Sequence, residues 1–186
     1  MRFLERWLAD WLTLALALAC ALAALQAPGL AHDYAAALLQ VSREARRDIE
    51  QRMVSARQFY AIAPADDAAF LDALHKVEPS NAETLAAAID RAHRIELAYD
   101  RIADARFLLQ PIIAGWEMLS APRDDTAGIR QTVLETYHPE VSLTVAGAVY
   151  GLAGLALGTL MSRALLAMLH GLRRGGRERD RAGYAR

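Results

Sequence analysis

Four side chains able to bind a metal or move a proton, His93, Glu96, Asp100 and Asp104, follow one another at spacings of three, four and four. On a helix that spacing collects them into one strip, and imidazole with carboxylates suits a divalent transition metal. Carboxylate-bridged di-iron bundles use the order Glu-x-x-His, with more glutamates from facing helices. Here the order is reversed, and the strip runs beside an apolar seam, where charges ordinarily form a solvated face. It is read as that face, with no metal expected. His32, His75 and His138 have no neighbours at ligand spacing. The single cysteine, Cys20, excludes an internal disulfide and a cysteine-based zinc site. No nucleophile elbow, P-loop, dinucleotide fingerprint or H-E-x-x-H occurs, so neither catalytic residues nor a cofactor are assigned and the chain is not read as an enzyme. A formal net charge of −1 speaks against a dedicated nucleic-acid binder.

The sharpest motif is one of packing. Gly147, Gly151, Gly154 and Gly158 alternate four and three, forming one helical strip with two G-x-x-x-G pairs. Without a Cβ, two helix backbones can approach closely along such a strip, which is how helices associate in lipid. The partner is either the first apolar segment of the chain, a second copy, or another membrane protein. Ala15, Ala19 and Ala23 offer small residues there, but 39 alanines in the chain make that spacing uninformative.

These motifs depend on where the apolar residues sit. The chain has 186 residues, 54% hydrophobic and 23% charged, and its mean hydropathy is +0.11. That is high for so charged a chain, so the apolar residues must be concentrated. Trp7 to Leu25 is interrupted only by Asp10 and Thr13. Nineteen helical residues span roughly 28 Å, about the thickness of a hydrocarbon core. Trp7 and Trp11 suit the headgroup level. A cleaved signal peptide is the rival reading, with Arg2 and Arg6 before the apolar run and Ala21-Leu22-Ala23 as a cleavage site. The length of the run and the acid inside it favour a retained helix.

Val141 to Ser162 carries no charge at all. Arg163 follows where it can snorkel to the interface, and Arg173, Arg174 and Arg177 lie in an arginine-rich tail suited to anionic headgroups or simply to fixing topology. The positive-inside rule places this tail, and the short N-terminus with Arg2 and Arg6, in the cytoplasm. Four regions result: 1–26, a short N-terminus and first span; 27–140, a periplasmic domain; 141–162, the second span; 163–186, a basic tail. The region 27–140 holds 12 Lys/Arg and 18 Asp/Glu.

That region reads as all-α. From Leu30 to Tyr60, Tyr34, Leu38, Val41, Ala45, Ile49, Met53, Ala56 and Tyr60 recur at three and four, one face of a long helix. Pro28-Gly29 precedes it as a break and Pro64 follows as a stop. A short helix is expected from Asp66 to Val77. Ser80-Asn81-Ala82-Glu83 reads as a capping box opening the next helix. Its stripe runs unbroken through Leu85, Ala88, Ala92, Ile95, Tyr99, Ile102, Arg106, Leu109, Ile113 and Trp116, with a kink or restart at Pro111. Such a stripe predicts a seam with the Leu30–Tyr60 helix in a coiled-coil-like antiparallel hairpin. A last helix is expected from Asp124 to Tyr137.

The arrangement resembles a proteobacterial family of two-span inner-membrane proteins catalogued as a domain of unknown function. The resemblance rests on a basic start and one span, on Gln26-Ala27-Pro28-Gly29-Leu30 followed by Tyr34, on a helical middle, and on Tyr137-His138-Pro139-Glu140-Val141-Ser142-Leu143-Thr144 before a glycine-rich span. It covers the chain to about Leu172, with Ser142 where the family pattern has proline. It implies an inner-membrane location and no catalytic or binding residue. Two roles follow as expectations: a structural or interaction protein on a two-helix anchor, or the input half of a periplasmic sensor. With two dozen residues after Ser162, the sensor's output would come from a partner.

Overall fold

A computed structural model describes the backbone of residues 2–62, 66–120, 123–138 and 144–183, and side chains within those ranges except 2, 3, 5, 6, 8, 123–125 and those beyond 168. The described residues form seven α-helices and no strand: α1 (Arg2–Leu25), α2 (Ala27–Tyr60), α3 (Asp67–Val77), α4 (Pro79–Ala103), α5 (Gln110–Ser120), α6 (Arg123–Thr136) and α7 (Val145–Gly183). They divide into two units, one of residues 1–29 with 139–186 and one of residues 30–138.

In the first unit α1 and α7 pack along their lengths. Both are long and apolar enough to cross a membrane. Their outward faces carry large apolar side chains: Leu12, Leu14, Leu18 and Leu22 on α1 and Val149, Leu152, Leu157 and Leu160 on α7 are all exposed. The face between them is made of small residues. A Trp7–Trp11 edge-to-face pair, with ring centroids 5.8 Å apart, marks the start of the apolar run of α1. α7 does not stop at Arg163 but continues as helix to Gly183. Residues 139–143, which include His138-Pro139-Glu140 in part and the expected start of the second span, lie outside the described residues.

The second unit is a bundle of α2 to α6 in which α2 and α4 are antiparallel. One cluster joins Ala31, Tyr34 and Leu38 at the start of α2 to Ile95, Ala98 and Ile102 at the end of α4, with Ala114 of α5 and Ile129 and Val133 of α6. The other joins Met53 and Ala56 at the end of α2 to Ala82 and Leu85 at the start of α4, with Phe70 and Leu74 of α3. Burial of the larger of these side chains, about 1.5–3 kcal/mol for each isoleucine, leucine, valine, methionine or phenylalanine, holds the unit together. Arg57 lies over the Phe70 ring, its guanidinium carbon 5.1 Å from the centroid, covering the second cluster with its stem.

Several expected boundaries move. Only Gln26 interrupts the helices between Ala23 and Ala27, and Pro28 sits in the first turn of α2, where a missing N–H is harmless. At the other end of α2, Ala61 takes φ 49°, the left-handed residue that commonly ends a helix; Pro64 lies outside the described residues. The expected capping box is not formed. α4 starts two residues earlier, with Glu78 as N-cap and Pro79 in the first turn. The Glu78 carboxylate instead accepts hydrogen bonds from the Tyr60 hydroxyl and, at 3.1 Å, from Asn81 Nδ2. The unbroken stripe from Leu85 to Trp116 also divides. Leu85, Ala92, Ile95 and Ile102 are buried, but α4 ends at Ala103, Arg106 is exposed, and α5 restarts at Gln110 just ahead of Pro111. Leu109 and Trp116 then face solvent, because a new helix has a new rotation and keeps no register with the old one.

Candidate functional site

All four strip glycines, Gly147, Gly151, Gly154 and Gly158, are buried, and they face α1 of the same chain where contacts are described. A Cβ placed on Gly154 would lie 2.5 Å from the Cys20 carbonyl oxygen, 2.6 Å from the Ala24 Cβ and 3.1 Å from the Ala21 Cα. On Gly158 it would lie 2.8 Å from the Ala17 Cα and 2.9 Å from the Cys20 Cβ. On Gly151 the nearest atom is a side-chain carbon of Leu25, at 3.0 Å. The first two contacts are with backbone, which cannot turn aside, so glycine is required there by space. By contrast, Gly115 and Gly128 have nothing within 4 Å.

The α1 face that receives the strip is Ala17, Cys20, Ala21 and Ala24. Ala17 is 1% exposed, whereas Ala15, Ala19 and Ala23 are exposed and take no part. The usable cue lay on the other side of α1: Leu12, Leu14, Leu18 and Leu22 mark the outward surface, leaving 17, 20, 21 and 24 opposite. The strip extends to Ala146 at one end and Ser162 at the other, both buried. Ser162 returns its hydroxyl to the Thr159 carbonyl at 3.0 Å, so no donor is left unpaired in the apolar surroundings. Arg163, the next residue, is exposed. Arg173, Arg174 and Arg177 lie on the α7 backbone, but their side chains are outside the described residues.

The second unit contains a polar cluster that the periodicity did not reveal. The Arg101 Nε and Nη2 donate to both oxygens of Glu117, at 2.6 and 2.9 Å, joining α4 to α5. Glu117 is 7% exposed, and its charge raises the Arg101 pKa mainly through that hydrogen bond. Arg130 of α6 donates to the Met118 carbonyl at 3.0 Å. Tyr34 is wholly buried beside this group. Burial pushes its phenol above the ordinary value, the Glu117 charge adds to that, and the Thr126 hydroxyl and Arg130 oppose it. Among the described residues no partner meets full hydrogen-bond geometry with its hydroxyl, and the Thr126 side chain supplies only a partial hydrogen-bonding influence. Tyr34→Phe is therefore expected to leave thermal unfolding of the full chain in detergent micelles unchanged, or to raise stability by about 1 kcal/mol. Tyr34→Ala should instead cost about 3–5 kcal/mol by emptying the cluster. A large loss on Tyr34→Phe would show that the hydroxyl carries a needed bond.

Between the two clusters α2 and α4 leave a groove of ≈ 570 Å³, with Val41, Ala45, Ile49, Ala88 and Ala92 on its walls. An Arg46–Glu96 ion pair also joins α2 to α4. That pair takes one member of the His93, Glu96, Asp100 and Asp104 strip, and the strip's other three residues are exposed. Among the described residues, no three His, Cys, Asp or Glu side chains come together in a way that could hold a metal.

A family model described as a protein of unknown function (DUF2937) matches residues 8–175. No curated protein and no solved structure matches the chain.

Proposed function

We propose that this chain, which belongs to the DUF2937 family of proteins of unknown function, is a non-enzymatic structural or interaction protein of a proteobacterial inner membrane, anchored by α1 and α7. One observation carries the reading: two long helices meet through glycine, alanine and cysteine while their outward faces present leucine, valine and methionine. In water such outward faces would be among the largest exposed apolar surfaces a protein tolerates, whereas in hydrocarbon they are at home. Use of the Ala17–Ala24 face of α1 to receive α7 supports a retained first span over a cleaved signal peptide. The same contact supports an intrachain partner for the glycine strip. A second copy or another membrane protein would then dock on other faces. Arg163, Arg173, Arg174 and Arg177 support cytoplasmic termini with the helical domain in the periplasm.

Topology reporters test this directly. A fusion after Arg186 should be active only in the cytoplasm and an insertion near Asn81 only in the periplasm. Recovery of a soluble mature chain beginning after Ala23 would overturn the reading. The groove between α2 and α4 favours a second role, ligand input to a sensor whose output lies on a partner. In that case a small molecule added outside would protect Ala45 and Ala88 backbone amides from hydrogen exchange.

A further inference from the structure

The groove between α2 and α4 has a physical cause in its walls. At one end the two helices meet through Leu38 and Ile95, at the other through Met53 and Leu85, each pair within its own cluster. Between those ends three facing residues shrink to alanine, Ala45 on α2 and Ala88 and Ala92 on α4. A methyl group cannot span a gap that larger side chains on either side have set, so a space of ≈ 570 Å³ stays between the two packed clusters. That volume falls in the range of small-molecule sites. It runs from Val41 and Ile95 at one end to Arg52 and Thr84 at the other. The helix between Val41 and Arg52 is roughly 16 Å long.

The two ends differ in chemistry. The Val41–Ile95 end is hydrocarbon and abuts the first cluster. The other end has the Arg52 charge and the Thr84 hydroxyl. Both acids on the α2 lip are already engaged. The Gln40 amide donates to Glu44 at 3.0 Å, and Asp48 lies 2.9 Å from the Arg52 Nε. Asp48 thus holds the guanidinium by one nitrogen, and its two terminal nitrogens have no partner among the described residues. A planar fork of that kind matches a carboxylate. Arg91, on the α4 lip, is a second cation. An apolar trough with an arginine fork at one end complements a hydrocarbon chain that ends in an anion.

We propose that the groove takes a long-chain fatty carboxylate, its head on Arg52 beside Thr84 and its tail along Ala45, Ala88 and Ala92 toward Val41. At about 1.25 Å per carbon–carbon bond, the trough holds about fourteen carbons, the length of myristate. This names the ligand class for the groove and rests on the second reading above only in taking the groove as a ligand site. It needs no output partner and no placement of the domain against a bilayer.

The full chain in phospholipid nanodiscs is irradiated with two myristate probes, one with a diazirine at the methyl end and one with it near the carboxyl. Modified peptides are mapped by mass spectrometry. The first probe is expected around Val41 and Ile95 and the second around Arg52 and Thr84, both displaced by excess myristate. Arg52→Gln, at an exposed position, should weaken probe binding about tenfold. Ala88→Leu, which fills the trough, should abolish it with helical content kept. Labelling confined to α1 and α7, where probe dissolved in the bilayer reacts without displacement, would overturn the proposal and leave the membrane reading intact. The reverse orientation of the two probes would overturn it too. Hydrogen exchange at the Ala45 and Ala88 amides separates the proposal from the reading beneath it. Equal protection by myristate and tetradecanol would keep a ligand site and refute the anionic head. Protection by neither would remove the site and the proposal together. Protection that grows with protein concentration alone would put a second copy in the groove and equally overturn the proposal.

Discussion

Gly154→Leu is expected to separate α1 from α7, and Gly154→Ala to do so in part. Even the single methyl of alanine would stand 2.5 Å from the Cys20 carbonyl oxygen and 2.6 Å from the Ala24 Cβ, distances no relaxed contact allows. Overpacking of this kind typically costs about 1–3 kcal/mol, and leucine at a backbone contact belongs at the upper end. The cost falls on helix association, because a leucine-bearing span is still apolar enough to insert and should keep its topology. Cysteine pairs on the flanks of the two helices, in a Cys20→Ser background, should cross-link efficiently in the parent. About a hundredfold slower cross-linking is expected with Gly154→Leu, the ratio that corresponds to roughly 2.8 kcal/mol. Gly128→Ala, with nothing within 4 Å of the added carbon, is the matched control. If Gly154→Leu cross-links as the parent does, the close approach of α1 and α7 is not what the glycines provide.

Ile95→Asp should unfold the bundle of α2 to α6. Ile95 is 1% exposed among Tyr34, Leu38 and Ala98. A carboxylate there has neither water nor a partner, and it also forfeits the apolar burial of the isoleucine. The sum is several kcal/mol, about 3–5, which is a large share of the whole stability of a domain this size. Circular dichroism melts and limited proteolysis of the full chain in micelles would read the loss. Leu97→Asp, two residues along and 41% exposed, should change little. Equal melting of the Ile95→Asp chain and the parent would refute the packing of α4 on α2.

Both predictions join a feature visible in the sequence to one that only folding supplies. The all-helical class was legible because each helix carries its own amphipathic period and its own breakers. Hydropathy over twenty-residue windows likewise exposed the two apolar segments, since the cost of placing charge in lipid acts on each residue separately. The in-phase glycines were legible for the same reason: four small residues at spacings of four and three define a face whatever lies beyond it.

What that face meets was not a local property. Ala15, Ala19 and Ala23 had the same credentials as Ala17, Ala21 and Ala24 by spacing alone. The choice was made by the rotation of α1 that turns Leu12, Leu14, Leu18 and Leu22 outward, a rotation set by both helices together. The capping box failed for a similar reason. Glu78 has partners in Asn81 and in Tyr60, 18 residues earlier in the chain, and this arrangement starts the helix before Ser80 can cap it. The stripe that ran without a slip to Trp116 was real only to Ile102. A periodicity count assumes one continuous axis, and the break from Asp104 to Leu109 ends that axis. Beyond the break, the inward pull of the Arg101–Glu117 pair and of Ala114 orients α5 and leaves Trp116 on the outside. Periodicity along a chain fixes which residues share a side of a helix; which side is covered, and by what, follows from contacts between segments far apart in sequence.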